Sequence, residues 1–247
     1  MNRVYVDADL RPGSLIELPR AAASHLVKVL RMRSGDELVI FSGDGREFPA
    51  TVETVHGSRV SAAVGEARAA DRESPLAVTL VQCIARADRM DVIVQKATEL
   101  GVARIVPVLS RRSVVRLDPK QAEAKAAHWR AIAVSACEQC GRNRLPAVAP
   151  PRQLIDHLAE APVTSMRLVL DPDAATGAGQ WTAGLPLGAA VEIAVGPEGG
   201  FDAAEMDAFL VAGFEAIRLG PRVLRTETAA IAALAWLQSR YGDLVVG

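Results

Sequence analysis

Residues 191–210, VEIAVGPEGGFDAAEMDAFL, place a strand, a glycine-rich loop and a helix in immediate succession. Val191–Val195 is an apolar run of the kind that fills a buried strand. It passes straight into Gly196-Pro197-Glu198-Gly199-Gly200-Phe201. Asp202 then stands as the N-cap of a helix over 202–212, with Glu205 three positions on to complete a capping-box pair. Two other strands end in loops of similar composition. One is Leu168–Leu170, which enters Leu170-Asp171-Pro172-Asp173. The other is Glu215–Leu219, which enters LGPRVLRTET (219–228) at the start of a last helix, Thr226–Tyr241. In open α/β sheets, ligands sit outside the carboxyl ends of the strands. Glycine there permits positive φ and a close approach of backbone to ligand. Any one such loop is ordinarily only a turn, but three in one half of a chain point to a site. Neither G-x-G-x-x-G nor GxxxxGK[ST] occurs, which argues against a dinucleotide-binding oxidoreductase or a phosphate-loop enzyme.

Working back from that stretch, the α/β rhythm begins after Pro75. Leu76–Ile84 reads as a buried strand and Arg104–Val108 as another. Between them, Met90, Ile93, Val94, Ala97 and Leu100 recur at helical spacing over 88–100, and Gly101 stands at the C-cap. Pro119–Cys140 is a long helix with proline in its first turn. Residues 1–70 differ in rhythm. Strands over 36–41, 47–55 and 59–64 are separated by Ser42-Gly43-Asp44-Gly45 and His56-Gly57-Ser58, and one helix, around 21–30, precedes them. Short strands with tight turns suggest a small β-barrel. The polar stretch 66–75, EARAADRESP, reads as the linker, so the expected domains are 1–70 and 71–247.

The net charge of −1 is unevenly spread. Residues 86–144 hold twelve basic and six acidic groups, whereas residues 145–247 hold six basic and twelve acidic ones. A basic middle segment suits a polyanionic partner, although solvated helix faces would count the same way. Of 28 basic residues 24 are Arg, the side chain matched to phosphate geometry. No stretch approaches the ~20 apolar residues of a membrane span. The first ten residues, MNRVYVDADL, carry no apolar signal region, so a cytoplasmic protein is expected. Three cysteines do not make a disulfide framework. Cys137 and Cys140 match C-x-x-C, but at a helix C-terminal end, where no dipole stabilises a thiolate, and neither redox nor metal chemistry is expected of them.

GPEGGFDAAE followed by LGPRVLRTETAAIAAL resembles the SPOUT class of methyltransferases, and within it the RsmE family, which methylates uridine N3 in small-subunit ribosomal RNA. QKATELGVARIVPVLSRRSVV (95–115), ACEQCGRNRLPAV (136–148) and HLVKVLRMRSGDEL (25–38) resemble the same family, in the same order, over nearly the whole chain. One departure lies at Ala85-Arg86-Ala87-Asp88-Arg89, where a lysine-glycine pair more often precedes the acidic residue.

The resemblance implies a PUA-like β-barrel followed by an α/β domain tied in a deep trefoil knot. It also implies a homodimer and a cytoplasmic enzyme that uses S-adenosylmethionine and no metal. Its substrate would be 16S ribosomal RNA, on the assembled 30S subunit. Carried over by position, Leu170, Gly196, Pro197, Glu198, Gly199, Gly200, Leu219, Gly220 and Leu224 would line the cofactor pocket. Arg225, beside the cofactor loop at the entry to the last helix, would be the catalytic residue, holding the uracil oxygens or a phosphate. The alternative for Arg225 is a local salt bridge with Glu227. Glu198 is the nearest carboxylate for a base, but binding of loop amides is the expected use. Arg11, Lys28, Arg31 and Arg33 would contact the RNA backbone, together with Arg142, Asn143 and Arg144 in the loop after the long helix. With only 4% aromatic residues, recognition by shape and phosphates, with one flipped-out base, fits better than stacking on aromatic side chains. The competing readings are a methyltransferase acting on another RNA and a non-catalytic RNA-binding or assembly factor of the same fold.

Overall fold

The computed structural model describes all residues except 1, 58, 87, 161–165, 182, 183, 185, 187 and 245–247. Ser58 of the second predicted turn and Ala87 of the departing segment lie outside the described residues. The chain divides into two compact units, Met1–Glu73 with Val134–Leu145, and Ser74–Ala133 with Pro146–Gly247.

The first unit runs β1 (Arg3–Tyr5), β2 (Leu15–Glu17), α1 (Arg20–Lys28), β3 (Glu37–Phe41), β4 (Arg46–His56), β5 (Arg59–Val64) and β6 (Arg68–Ala69). They form one sheet of order β1-β3-β4-β5-β2, with β6 on β4. The alternation read in 37–64 becomes the antiparallel meander β3-β4-β5, with a bulge between Val52 and Thr54. Its inward residues, among them Leu38, Ile40, Phe48, Val52 and Val60, pack with Leu26 of α1 into one core. The end strands β1 and β2 do not pair with each other among the described residues, so hydrogen bonding does not close the expected barrel. Residues 66–75 are not a free linker as expected. They supply β6, and Arg72 and Glu73 are fastened by ion pairs to Glu47 and Arg142.

The second unit runs β7 (Ala77–Cys83), α2 (Arg89–Glu99), β8 (Arg104–Leu109), α3 (Pro119–Cys140), β9 (Ala147–Val148), β10 (Arg152–Gln153), α4 (Leu154–Ala159), β11 (Met166–Leu170), β12 (Ala190–Val195), α5 (Ala203–Val211), β13 (Glu215–Ile217) and α6 (Thr226–Tyr241). The last two turns of α3, from Val134, and the residues after it to Leu145 belong to the first unit. The sheet is wholly parallel, in the order β10-β8-β7-β12-β11-β13, with β9 on β8. Parallel strands need crossovers, and these place apolar helices against both faces. On one face Val78, Leu80, Ile193 and Val195 pack with Met90 and Ile93 of α2, Trp129 of α3 and Leu234 and Leu237 of α6. On the other, Val81, Cys83, Val169 and Ala194 pack with Leu154 and Leu158 of α4 and Phe209 of α5. Among the described residues no helix is long and apolar enough to cross a membrane.

Candidate active site

In a parallel sheet with helices on both faces, the loops after the strands gather at one edge. Here the loops after β11, β12 and β13, with the start of α6, enclose a cavity of about 490 Å³. Leu170, Gly196, Pro197, Glu198, Gly199, Gly200, Leu219, Gly220 and Leu224 all line it, and so does Arg225. Gly200 and Gly220 have φ of +67° and +73°, conformations that a side chain would strain. Gly196 is required for a different reason. A Cβ there would lie 3.3 Å from the Phe201 ring, too close unless the ring shifts.

Hydrogen bonds join the β12 loop to its surroundings. Thr226 donates from Oγ1 to the Gly196 carbonyl at 2.7 Å and accepts from the buried Gln82 amide at 2.9 Å. Arg112, after β8, donates to the Gly199 carbonyl at 2.9 Å and lines the cavity. Arg89 of α2 pairs with Glu198 at 2.8 Å and lies 3.8 Å from Glu227. These pairs correct the reading of Glu198: its carboxylate takes an arginine 109 residues away, not the amides of its own loop. Glu227 is likewise drawn to Arg89, and no ion pair joins it to Arg225 among the described residues. Arg225 is exposed, in extended geometry at the N-cap of α6, with no side-chain partner among the described residues. Arg225 and the exposed Arg222 are the cavity-lining arginines with no side-chain partner among the described residues. Sequence reasoning missed Arg89, Arg112, Gln82 and Thr226. Only the departure at 85–89 and the Arg111-Arg112 pair in the basic segment pointed that way.

In the first unit, Arg11, Lys28, Arg31 and Arg33 are exposed. Arg11 pairs with Asp9 at 2.7 Å. Arg31 has φ of +54°, and Leu30 and Met32 donate back to the carbonyls of His25 and Leu26, a turn that closes α1. Arg142 and Asn143 correct the expectation of an RNA-facing loop, being 6% and 1% exposed. The Arg142 guanidinium lies 2.7 Å from Glu73, and Asn143 donates to the Ala70 carbonyl. Burying a charge is tolerable only when it is paired in this way. Arg144 of the same loop is exposed.

Cys137 of the C-x-x-C segment and Cys83 of β7 are not poised for thiol chemistry. Burial pushes both the Cys83 and Cys137 thiols up to about 12. Iodoacetamide near neutral pH is therefore expected to leave both unmodified in the native protein and to alkylate both after unfolding, as read by mass spectrometry. Alkylation of native Cys137 at the rate of a free thiol would contradict this.

The family models agree with this architecture. The RNA methyltransferase domain matches residues 72–238, and the RNA methyltransferase PUA domain matches residues 18–64. The ribosomal RNA small subunit methyltransferase E of Buchnera aphidicola (subsp. Schizaphis graminum) is 32% identical over 246 residues, 98% of this chain and 97% of the relative. That of Bacillus subtilis is 34% identical, covering 85% of this chain and 84% of the relative. Among solved structures, the Neisseria gonorrhoeae ribosomal RNA small subunit methyltransferase E bound to S-adenosyl methionine aligns with a TM-score of 0.90. It is 38% identical, with 99% of this chain and 100% of that one covered. A Legionella pneumophila methyltransferase in complex with the same cofactor aligns with a TM-score of 0.93 at 39% identity, over 98% of both chains. Fold and cavity thus define an RNA methyltransferase with an appended PUA domain. The chain belongs to the ribosomal RNA small subunit methyltransferase E family.

Proposed function

We propose that this protein transfers the methyl group of S-adenosylmethionine to N3 of one uridine in 16S ribosomal RNA, on the assembled 30S subunit. The observation that carries the reading is the cavity at the sheet edge. All nine expected cofactor residues meet there, with an unpaired arginine at the rim. The donor set fits the cofactor: small residues and backbone amides and carbonyls suit an adenine and a folded methionine tail, whereas a nucleoside triphosphate would call for lysine and a phosphate-binding loop. When bound, S-adenosylmethionine supplies an electrophilic methyl group on a sulfonium. The chain must hold the uracil ring edge-on to that methyl and stabilise the negative charge left on the ring as the N3 proton passes to solvent water. Arg225 does this by donating to the uracil O2 or O4, where the negative charge accumulates. Glu198, held by Arg89, keeps its loop in place and does not act as the base.

In this reading, the first unit grips the RNA backbone through Arg11, Lys28, Arg31, Arg33 and Arg144. Arg142 and Asn143 position Arg144 and do not touch RNA themselves. Resemblance to the SPOUT class supports a trefoil knot in the C-terminal half, a homodimer and a cytoplasmic location. Light scattering at the concentration of the assay tests the dimer.

Purified protein incubated with methyl-labelled S-adenosylmethionine and small subunits from a strain lacking this activity should place label in 3-methyluridine. Label in another nucleoside overturns the target. Cofactor binding without any transfer favours the non-catalytic assembly factor. Gly196→Val should raise the dissociation constant for S-adenosylmethionine by about tenfold or more in calorimetry, because a side chain that meets the Phe201 ring displaces the loop backbone lining the cavity, and about 1.4 kcal/mol of lost binding is tenfold. Unchanged affinity would place the cofactor elsewhere.

A further inference from the structure

We propose that a second cavity in the larger unit holds an unpaired RNA nucleotide flanking the methylated one, with Arg111 and Arg116 on its phosphate. This rests on the RNA methyltransferase reading above. The cavity, of about 230 Å³, lies between the end of β8, the start of α4 and the first turns of α5. Leu109, Leu154, Leu158 and Ala208 make an apolar floor, and Ser110, Gln153 and Glu205 also line it, together with the two arginines. It shares no lining residue with the first cavity, yet the two are neighbours. Arg111 lines one and Arg112 the other, and Glu205 lines one and Met206 the other. Consecutive Cα atoms are about 3.8 Å apart, so one loop and one helical turn form the partition between them. A nucleotide flanking the methylated one would meet this neighbouring cavity.

The partition is held in place. Glu205 accepts the Arg111 backbone N–H at 2.7 Å and the Asp202 N–H at 3.0 Å, so its carboxylate is engaged by two amides. The Ser110 N–H is held by the Ser113 hydroxyl at 3.0 Å. The arginine side chains are less occupied. The Arg111 side chain is 70% exposed, and its one ion pair among the described residues is with Asp202, at 3.4 Å. Arg116 is exposed, with no ion-pair partner among the described residues. An apolar floor, one amide and two accessible guanidinium groups match a nucleotide part by part: base on the floor, base edge to the Gln153 amide, phosphate to arginine.

The test is the full-length double variant Arg111→Ala/Arg116→Ala, compared with wild type in binding to unmodified small-subunit RNA across a salt series and in methyl transfer to small subunits. The expected result is about tenfold weaker RNA binding and a log-affinity against log-salt slope shallower by about one. KM for the subunit should rise in proportion, with kcat within about twofold. Binding of S-adenosylmethionine by calorimetry should be unchanged, which separates this loss from misfolding or damage to the first cavity. Arg111→Lys/Arg116→Lys should recover most of the affinity, since a point charge still meets phosphate. Ala204→Phe, which fills the cavity from the exposed turn of α5, should weaken RNA binding without changing the salt slope. An unchanged slope and KM in the alanine double variant, or wild-type RNA binding in Ala204→Phe, overturns the proposal. A wild-type protein that binds RNA but transfers no methyl group removes the functional reading, and the binding comparison still decides this one.

Discussion

Replacing Arg225 by alanine is expected to lower kcat for methyl transfer by about 10²–10³, the loss measured when a single donor to a developing oxyanion is removed. The expectation follows from what Arg225 lacks. Arg89 is committed to Glu198, Arg112 to the Gly199 carbonyl, and Arg218 to the carbonyls of Ala174 and Ala175. Arg225 and Arg222 line the cavity with no such commitment among the described residues, and of the two Arg225 stands at the entry to α6, next to Thr226 and the cofactor loop. The dissociation constant for S-adenosylmethionine should change less than about threefold, because the interaction forms with the pyrimidine and strengthens in the transition state. Arg225→Lys should recover part of the rate, since an ammonium keeps the charge but loses the planar fork. Initial rates at saturating cofactor, with small subunits as substrate, measure both variants. A kcat within threefold of wild type in the alanine variant would remove Arg225 from the chemistry.

The largest stability effect is expected at Glu192, on the sheet face away from α6. Its side chain is 1% exposed, with His157 Nε2 at 2.7 Å and Arg167 Nε at 2.8 Å. Glu192→Ala leaves a guanidinium that is itself only 12% exposed without its carboxylate, and should destabilise the protein by about 3–5 kcal/mol in urea unfolding. A loss below about 1 kcal/mol would mean that the contacts Arg167 already makes, to the Ala212 carbonyl and over the Phe214 ring, suffice to hold its charge. The pH dependence follows from the same contacts. Burial alone would raise the Glu192 pKa, but the hydrogen bonds and charges of His157 and Arg167 outweigh it and hold it below the usual carboxylate range. A carboxyl depressed by folding contributes its stability above its unfolded pKa, about 4.3, and loses it as the pH falls through the folded value. Wild type should therefore lose stability below about pH 4.3 more steeply than Glu192→Gln. Parallel acid-unfolding curves would exclude this group as a source of the acid sensitivity.

Much of the architecture was legible because its signals are local. The helices Pro119–Cys140 and Thr226–Tyr241 were read to the residue, and the Asp202–Glu205 capping box was correct in both directions. Each is set by side chains within four positions of one another. The strands of two or three residues, such as β1, β9 and β10, and the six-residue α4 are too short to show a period.

The candidate site divides in the same way. The sequence by itself determined the three loops, because glycine, proline and charge at the end of an apolar strand are local properties. It also carried the family motifs that named the cofactor residues. Only the tertiary structure decided which charges remain available. Arg142 and Asn143 look like Arg144 in the sequence, but Glu73, about 70 residues away, draws the first of them inside with its neighbour and leaves Arg144 outside. Arg89 takes Glu198 and approaches Glu227, which leaves Arg225 unpaired. An ion pair depends on distance in space and on the solvent excluded around it, and chain separation sets neither until the sheet has brought its strand ends to one edge.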